Sequence, residues 1–127
     1  MSELPKIADS EWEIMKIIWK SPNITSTEII KEVQNTKDWK ASTIKTLINR
    51  LLKKEVISFN QHGKEYSYFP LVGEAQCVNE ESENFINRVF NGSINSMLVN
   101  FVNSNKLTND DLEELKSLLH KAKANED

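Results

Sequence analysis

The sequence predicts a mainly α-helical protein in which one β-hairpin separates two groups of helices. Apolar residues recur at helical spacing along most of the chain, whereas residues 56–69 are rich in β-branched and aromatic side chains. The chain has three Gly and three Pro among 127 residues, which is typical of a fold with few long loops.

Three helices are predicted before the hairpin, at about residues 9–20, 25–34 and 41–54. Trp12 and Trp19 lie on the apolar stripe of the first helix and are predicted to be core residues. The second helix begins with a capping box, because the side chains of Thr25 and Glu28 can each accept a hydrogen bond from the other's backbone N–H.

The hairpin is predicted to comprise strands Val56–Phe59 and Glu65–Phe69, joined by the Gly-containing loop Asn60–Lys64. Three helices followed by a hairpin, within about 70 residues, is the order of a winged helix-turn-helix. We therefore predict that domain for residues 1–72.

Residues 73–127 are predicted to form three further helices, at about 74–90, at about 94–103 and after a capping residue at Thr108. About 55 residues in three short helices bury too little surface to be stable alone. A second copy of the same segment is the economical partner, because a two-fold dimer presents one patch to itself. We therefore predict a dimerisation domain whose contacts are Phe85, Val89, Phe90, Leu98, Phe101, Val102, Leu112, Leu115 and Leu119.

Positive charge is concentrated around the third helix, although the whole chain has a net charge of −3. Residues 37–64 contain seven Lys and Arg against two acids, and a phosphate backbone responds to such local charge. The outer face of the third helix has no acid, which predicts a recognition helix in a DNA major groove. Thr43, Thr46 and Arg50 are expected to read bases. The predicted contacts of this helix are Ser42, Thr43, Lys45, Thr46, Asn49, Arg50 and Lys53.

The hairpin is expected to lie against DNA phosphates through His62 and Lys64, with a plain surface hairpin as the alternative. Trp39 precedes the third helix and could pack on a sugar-phosphate, but partial burial in the core is favoured. A winged helix that binds a protein instead of DNA remains open; it would predict acids or apolar residues on the outer face of the third helix.

Enzyme, metal and cofactor functions find no support in the sequence. It contains no Gly-rich phosphate loop and no paired carboxylates in a plausible cleft, and Cys77, His62 and His120 lie far apart. Cys77 is best interpreted as a small buried hydrophobe. With no apolar run of about 20 residues, no export signal and one cysteine, the chain is predicted to be cytoplasmic, without membrane insertion.

Four segments in order resemble the penicillinase repressor family, which includes the BlaI and MecI repressors of β-lactam resistance and the copper-responsive CopY group. These segments are Ser10–Trp19, Ser42–Leu51, Gly63–Tyr68 and Asn91–Ser96, and the resemblance covers roughly residues 8–120. The BlaI and MecI branch is the nearest, because the Cys-x-Cys pairs of the copper-responsive members are absent.

The resemblance implies a homodimeric transcriptional repressor that binds a palindromic operator containing TACA and TGTA elements. It implies control of β-lactamase or penicillin-binding-protein genes, and a membrane-bound β-lactam sensor-protease as a partner. It also implies inactivation by cleavage between Asn100 and Phe101, which occupy the family's cleavage position. A repressor of the same family that controls unrelated genes is the remaining alternative.

Overall fold

The computed structural model describes residues 4–125, and the chain divides into a first compact unit that ends at Glu80 and a second that begins at Glu81. The predicted fold class, a winged helix-turn-helix followed by three helices, is confirmed. In chain order the elements are α1 (Asp9–Lys20), β1 (Ile24–Thr25), α2 (Ser26–Gln34), α3 (Ala41–Lys53), β2 (Ile57–His62), β3 (Glu65–Pro70), α4 (Glu74–Phe90), α5 (Ile94–Asn103) and α6 (Asn109–Asn125).

The first unit has one hydrophobic core, to which α1, α2, α3 and the sheet all contribute. Each helix buries residues spaced three or four apart, so that one stripe faces inward and the opposite face stays in water. Cys77, in the first turns of α4, joins the same core as predicted. The core helical residues are Ile14, Met15 and Ile18 of α1, Ile29 and Val33 of α2, and Ile44, Leu47, Ile48 and Leu51 of α3.

The sheet contains three antiparallel strands in the order β1-β3-β2. The two-residue strand β1 was not predicted, because its pairing partner lies far along the chain, with Ile24 opposite Tyr68. The capping box that follows it is confirmed: the Glu28 N–H donates to Thr25 Oγ1 over 3.2 Å, and the Thr25 N–H donates to Glu28 Oε1 over 3.1 Å.

The predicted hairpin loop, Asn60–Lys64, is too long. Strand β2 continues to His62, which pairs with Glu65, so only Gly63 and Lys64 form the turn. The polar residues before the turn resemble a loop in sequence because both faces of the strand tip are exposed to water. Gly63 has φ of +64° at the first turn position, where a two-residue hairpin of type II′ requires Gly.

The three tryptophans pack on the edge of this core. Trp12 and Trp19 are half-buried rather than core residues as predicted; their ring centroids are 5.7 Å apart. The Trp19 indole N–H donates to the Val72 carbonyl over 3.0 Å, which keeps one ring edge polar and near the surface. Trp39 is half-buried against the core, which confirms the prediction made for it.

An ion pair joins the start of α1 to the end of α3. The Glu11 carboxylate is buried, accepts from the Ala8 N–H over 2.8 Å and contacts the Lys54 ammonium. That ammonium also donates to the Lys6 carbonyl over 2.7 Å. Lys54 therefore belongs to the interior contacts of the unit, although the sequence counts it among the cations around α3.

The second unit has no buried side chain within residues 81–125. Its helices begin at side-chain caps, because Ser93 Oγ accepts from the Ser96 N–H and Thr108 Oγ1 accepts from the Asp111 N–H. Three phenylalanines contact one another edge to face, with ring centroids 5.8 Å apart for Phe85 and Phe90 and 6.4 Å for Phe90 and Phe101. A small aromatic cluster thus replaces a closed core. No helix within residues 4–125 has the length and apolar character needed to cross a membrane.

Candidate nucleic-acid interface

Helix α3 presents its polar face to solvent because its apolar residues all lie on the opposite side. Four residues face the core, and the helix is about 20 Å long. The seven side chains predicted to contact DNA are brought together on the outer face, and each is exposed. They are Ser42, Thr43, Lys45, Thr46, Asn49, Arg50 and Lys53.

The cations of this face are not neutralised by neighbouring acids. Within residues 4–125 the two salt bridges are Lys16–Glu13 and Lys54–Glu11, and neither involves an outer-face residue of α3. An exposed cation without an acidic partner keeps its full attraction for phosphate, and it releases counterions from DNA when it binds.

The hydroxyl of Thr46 has a defined orientation. It donates to the Ser42 carbonyl one turn earlier over 3.0 Å, so its proton is already used inside the helix. What remains for an external group is an acceptor oxygen and a methyl. Those two features suit an amino donor or a thymine methyl on a base edge, which fits the base-reading role predicted for Thr46.

The two residues predicted on the wing lie apart from the α3 set, at the tip of the hairpin. His62 ends β2 and Lys64 occupies the turn, and both are exposed. The Gln61 side-chain amide donates to the Gly63 carbonyl over 3.0 Å, which stiffens the turn. An ordered cationic tip of this kind can position a protein on a phosphate backbone without reading sequence.

An aromatic ladder on the wing was missed by the sequence reasoning. Phe59 lies directly opposite Tyr68 on the partner strand, with ring centroids 6.3 Å apart, and stacks on Tyr66 at 4.6 Å. Tyr68 is buried at the inner end, whereas Phe59 and Tyr66 are exposed. Alternation of aromatic residues at 66 and 68 was the available signal, and it indicated a strand without indicating which ring faces the core.

Burial raises the pKa of two titratable groups of the first unit and keeps both protonated. Loss of solvation, followed by the nearby Tyr66, raises the pKa of Tyr68, so its hydroxyl stays protonated as a donor. Loss of solvation, followed by Glu80, raises the pKa of the Cys77 thiol, which disfavours the thiolate that binds metals. Across residues 4–125, no three His, Cys, Asp or Glu side chains are grouped as metal ligands would be.

The nine residues predicted to form the dimer contact are divided by their exposure. Phe85, Phe90, Leu98, Phe101 and Leu115 are half-buried within the chain, whereas Val89, Val102, Leu112 and Leu119 are exposed. Three further apolar side chains of the second unit are also exposed and were not predicted: Ile94, Val99 and Leu118. The second unit therefore exposes more apolar surface than the predicted set describes.

The peptide bond between Asn100 and Phe101 lies in the last turns of α5. Asn100 is exposed, while Phe101 is half-buried against Phe90. The Asn100 carbonyl accepts both from the Ser104 N–H, over 3.0 Å, and from the Ser104 hydroxyl. A protease can attack this carbonyl only after the end of the helix has opened.

Comparisons with known proteins agree on one family over nearly the whole chain. The family model described as penicillinase repressor matches residues 7–121. The methicillin resistance regulatory protein MecI of Staphylococcus aureus (strain N315) is 42% identical over 116 residues, which cover 91% of this chain and 94% of that protein. The penicillinase repressor of Bacillus licheniformis is 37% identical over 123 residues, covering 97% and 96%.

A solved structure is similar to more than half of the chain. The solution structure of the Bacillus licheniformis BlaI monomeric form in complex with the blaP half-operator is 39% identical, with a TM-score of 0.52. It covers 59% of this chain and 92% of the solved one.

Proposed function

Because the chain belongs to the penicillinase repressor family, and is therefore a repressor and not an enzyme, we propose that it binds a palindromic operator as a homodimer. Two copies of α3 enter successive major grooves, about 34–36 Å apart, at TACA and TGTA elements. The membrane-bound β-lactam sensor-protease of the family is its proposed partner in induction, and β-lactamase or penicillin-binding-protein genes are its proposed targets.

The observation that carries this proposal is the exposed, acid-free outer face of α3. A helix surface that only met solvent would gain solubility from mixed charges, and a protein-binding surface would contain acids or apolar residues. This face instead combines hydroxyls, one amide and cations, which are the groups that read base edges and bind phosphates. Thr43, Thr46 and Arg50 are proposed to read bases, and Ser42 and Lys53 to contact the backbone with His62 and Lys64 of the wing.

Dimerisation is proposed to supply most of the affinity. BlaI binds a half-operator as a monomer in its solved complex, so one winged helix of this chain is expected to engage one half-site. Joining two copies makes the second contact intramolecular and raises the apparent affinity by about 10²–10⁴. The exposed apolar side chains of the second unit, such as Val102 and Leu119, support a second copy as the partner that covers them.

Cleavage between Asn100 and Phe101 is proposed to end repression. It removes Phe101 from its contact with Phe90 and separates α6 from the rest of the chain. The product retains the complete winged helix but loses much of the surface proposed to hold the dimer. Because the Asn100 carbonyl accepts two hydrogen bonds from Ser104, the rate of cleavage is expected to depend on how often the end of α5 opens.

The first test is fluorescence anisotropy with a labelled duplex of about 30 base pairs, which spans two half-sites. It carries inverted TACA and TGTA elements and is compared with a scrambled duplex across a salt series. We expect specific binding of two chains per duplex that weakens steeply with salt. Equal binding to both duplexes contradicts the operator sequence, and absence of binding at low salt indicates the protein-interaction alternative.

Arginine variants sharpen the assignment to α3. Arg50→Ala is expected to cost roughly 1–3 kcal/mol of specific binding if Arg50 makes a bidentate contact to a base. Arg88→Ala is the matched control, because Arg88 is exposed on α4, outside the proposed DNA-binding residues. Equal losses from the two variants, or no loss from Arg50→Ala, would contradict the recognition face.

A chain that ends at Asn100 tests the cleavage step without the protease. We expect it to bind a single half-site as the intact chain does, but to be monomeric in sedimentation and to have lost the affinity gained from two half-sites. If the shortened chain still dimerises and represses a reporter fully, the proposed inactivation is wrong. Mapping bound sites across the genome then decides between β-lactam-resistance genes and unrelated targets.

A further inference from the structure

A small cleft opens between α2, α3 and the root of the wing. It is lined by Ser26, Lys45, Ile48, Asn49 and Tyr68 and has a volume of about 140 Å³. That is several times the roughly 30 Å³ that a water molecule occupies in the liquid. All five residues belong to the first unit, and three of them come from α3.

Tyr68 is the unusual member of this lining. The residue is only 6% exposed, and its hydroxyl makes no hydrogen bond to another group within residues 4–125. A tyrosine hydroxyl that is reached by solvent keeps its hydrogen-bonding capacity for water or for another group that enters the cleft. The hydroxyl oxygen is not fully enclosed, and the cleft is the opening that Tyr68 lines. Tyr68 therefore offers a donor to a group from outside the chain.

The other polar side chains of the cleft can all donate hydrogen bonds. Lys45 supplies a positive charge and three N–H donors, and Asn49, one turn further along α3, supplies an amide N–H₂. Ser26 adds a hydroxyl at the first position of α2, where the helix dipole also favours an anion. Within residues 4–125 the lining contains no acid. The carboxylate of Glu28, two residues after Ser26, accepts hydrogen bonds from Thr25. Such a group of donors suits an anion with several oxygen atoms.

We propose that this cleft binds one backbone phosphate of the DNA, with the Tyr68 hydroxyl donating to a phosphate oxygen and Lys45 supplying the charge. The inference rests on the proposed function and deepens it, because it assigns Lys45 and Asn49 to the backbone and adds Ser26 and Tyr68. Since Tyr68 lies on β3 and Lys45 on α3, a single phosphate fixes the recognition helix and the wing root together. Such a contact sets the register of the protein on the duplex without reading sequence.

The test uses Tyr68→Phe in the full chain, which removes the hydroxyl and keeps the ring. Binding is measured on a duplex with a single TACA half-site and on a scrambled duplex. We expect a loss of roughly tenfold on both, because a phosphate contact does not depend on sequence. The midpoint of thermal unfolding should not fall, whereas removal of a structural hydroxyl would lower it. Lys45→Gln should lower the slope of log affinity against log salt by about 0.9, and Tyr68→Phe should leave that slope unchanged.

Tyr66→Phe is the matched control, because it removes a phenolic hydroxyl from the same strand at an exposed position. We expect it to bind both duplexes as the unaltered chain does. Equal losses in the two tyrosine variants, or wild-type affinity in Tyr68→Phe, would overturn the phosphate site.

Neutral methylphosphonates, placed singly along the half-site duplex, identify the phosphate. One position should weaken the unaltered chain strongly and Tyr68→Phe much less, because that variant has already lost the contact. Identical profiles for the two proteins would overturn the proposal. So would a second outcome, in which inorganic phosphate stabilises the unaltered chain against thermal unfolding but Tyr68→Phe binds DNA as the unaltered chain does. Failure of the proposed function differs: the unaltered chain would not prefer the half-site to the scrambled duplex, while the loss in Tyr68→Phe would persist on both.

Discussion

The two units of this chain are stabilised in different ways. The first closes a core around side chains such as Ile14, Ile29 and Leu51, which have no exposed surface, and completes it with a three-stranded sheet. The second is more helical and has no strand, but within residues 81–125 it buries no side chain, and Leu118 and Leu119 are more than half exposed. The difference teaches that the DNA-binding part depends on its own core, whereas the second part depends on what covers it.

Two spectroscopic probes separate the units. All three tryptophans, Trp12, Trp19 and Trp39, lie in the first unit, so their fluorescence reports its unfolding alone. Far-ultraviolet circular dichroism reports both units, because each contains helices. The predictions that follow use urea unfolding with these two probes.

The largest effect is expected from Leu51→Ala. Leu51 is fully buried, so the substitution leaves a cavity and should cost about 2–5 kcal/mol in the fluorescence transition. The control is Leu118→Ala, in which the side chain is 55% exposed, and it should leave the fluorescence transition within about 0.5 kcal/mol of the unaltered chain. A similar loss from both substitutions would show that the two units unfold as one.

The next effect comes from the ion pair of Glu11 with Lys54. Lys54→Met leaves a buried carboxylate without its cation and is expected to cost about 1–3 kcal/mol, less than a fully buried pair because the ammonium is partly exposed. Glu11→Gln should cost less, because the Lys54 ammonium that remains can reach water. Fluorescence-detected urea unfolding measures both, and the reverse order would mean that the carboxylate is not effectively buried.

The second unit should respond to protein concentration. If a second copy covers its apolar side chains, each tenfold increase in concentration stabilises the dimer by about 1.4 kcal/mol. The circular dichroism transition should therefore move to higher urea, while the fluorescence transition stays fixed. A circular dichroism transition that does not change with concentration would contradict the self-association proposed for residues 81–125.

The two capping boxes provide a smaller, matched comparison. Thr25→Ala and Thr108→Ala each remove a side-chain acceptor from a helix N-terminus and should each cost about 1 kcal/mol. Thr25→Ala should move the fluorescence transition, and Thr108→Ala should move only the transition seen by circular dichroism. A fluorescence shift in Thr108→Ala would show that α6 stabilises the first unit.

Acid is expected to weaken both boxes slightly. Hydrogen bonds from the backbone and then the side chain of Thr25 lower the pKa of Glu28, and Thr108 lowers the pKa of Asp111 in the same way. A lowered folded-state pKa stabilises the fold at neutral pH, and that contribution is lost as pH falls through it. The urea midpoint of each transition should therefore decrease as the pH is lowered from about 6 to about 3. Glu28→Gln or Asp111→Asn should reduce this pH dependence in its own unit. No reduction in either variant would contradict this cause.

Local interactions account for what the sequence predicted well. The box of Thr25 with Glu28 lies within one helical turn, and the face of α3 follows from helical spacing alone, so both could be predicted without a tertiary structure. Strand β1 could not, because its pairing with Tyr68 spans more than 40 residues. The wing tip was misjudged because Asn60 and His62 are polar residues in a strand that water surrounds.

In the candidate site, too, local features could be predicted from the sequence and long-range contacts could not. Sequence spacing placed Arg50 and Thr46 on one surface, but it could not show that Lys54 is held inside by Glu11. It also could not show that the Tyr68 hydroxyl faces a cleft with Lys45, since the two residues meet only through the fold. Whether the predicted boundary at residue 72 separates the two functions stays a prediction, because α4 crosses the limit of the compact units at residue 80.

The long reach of the contacts within the first unit bears on how the protein is made. The contact of Lys54 with Glu11 closes 43 residues, and the bond from Trp19 to the Val72 carbonyl closes 53. A ribosome releases the chain from its N-terminus, so α1 is free long before its partners exist. The core that holds α3 also includes Tyr68 of β3 and Cys77 of α4, so a nascent chain that ends before these residues lacks part of the packing behind α3.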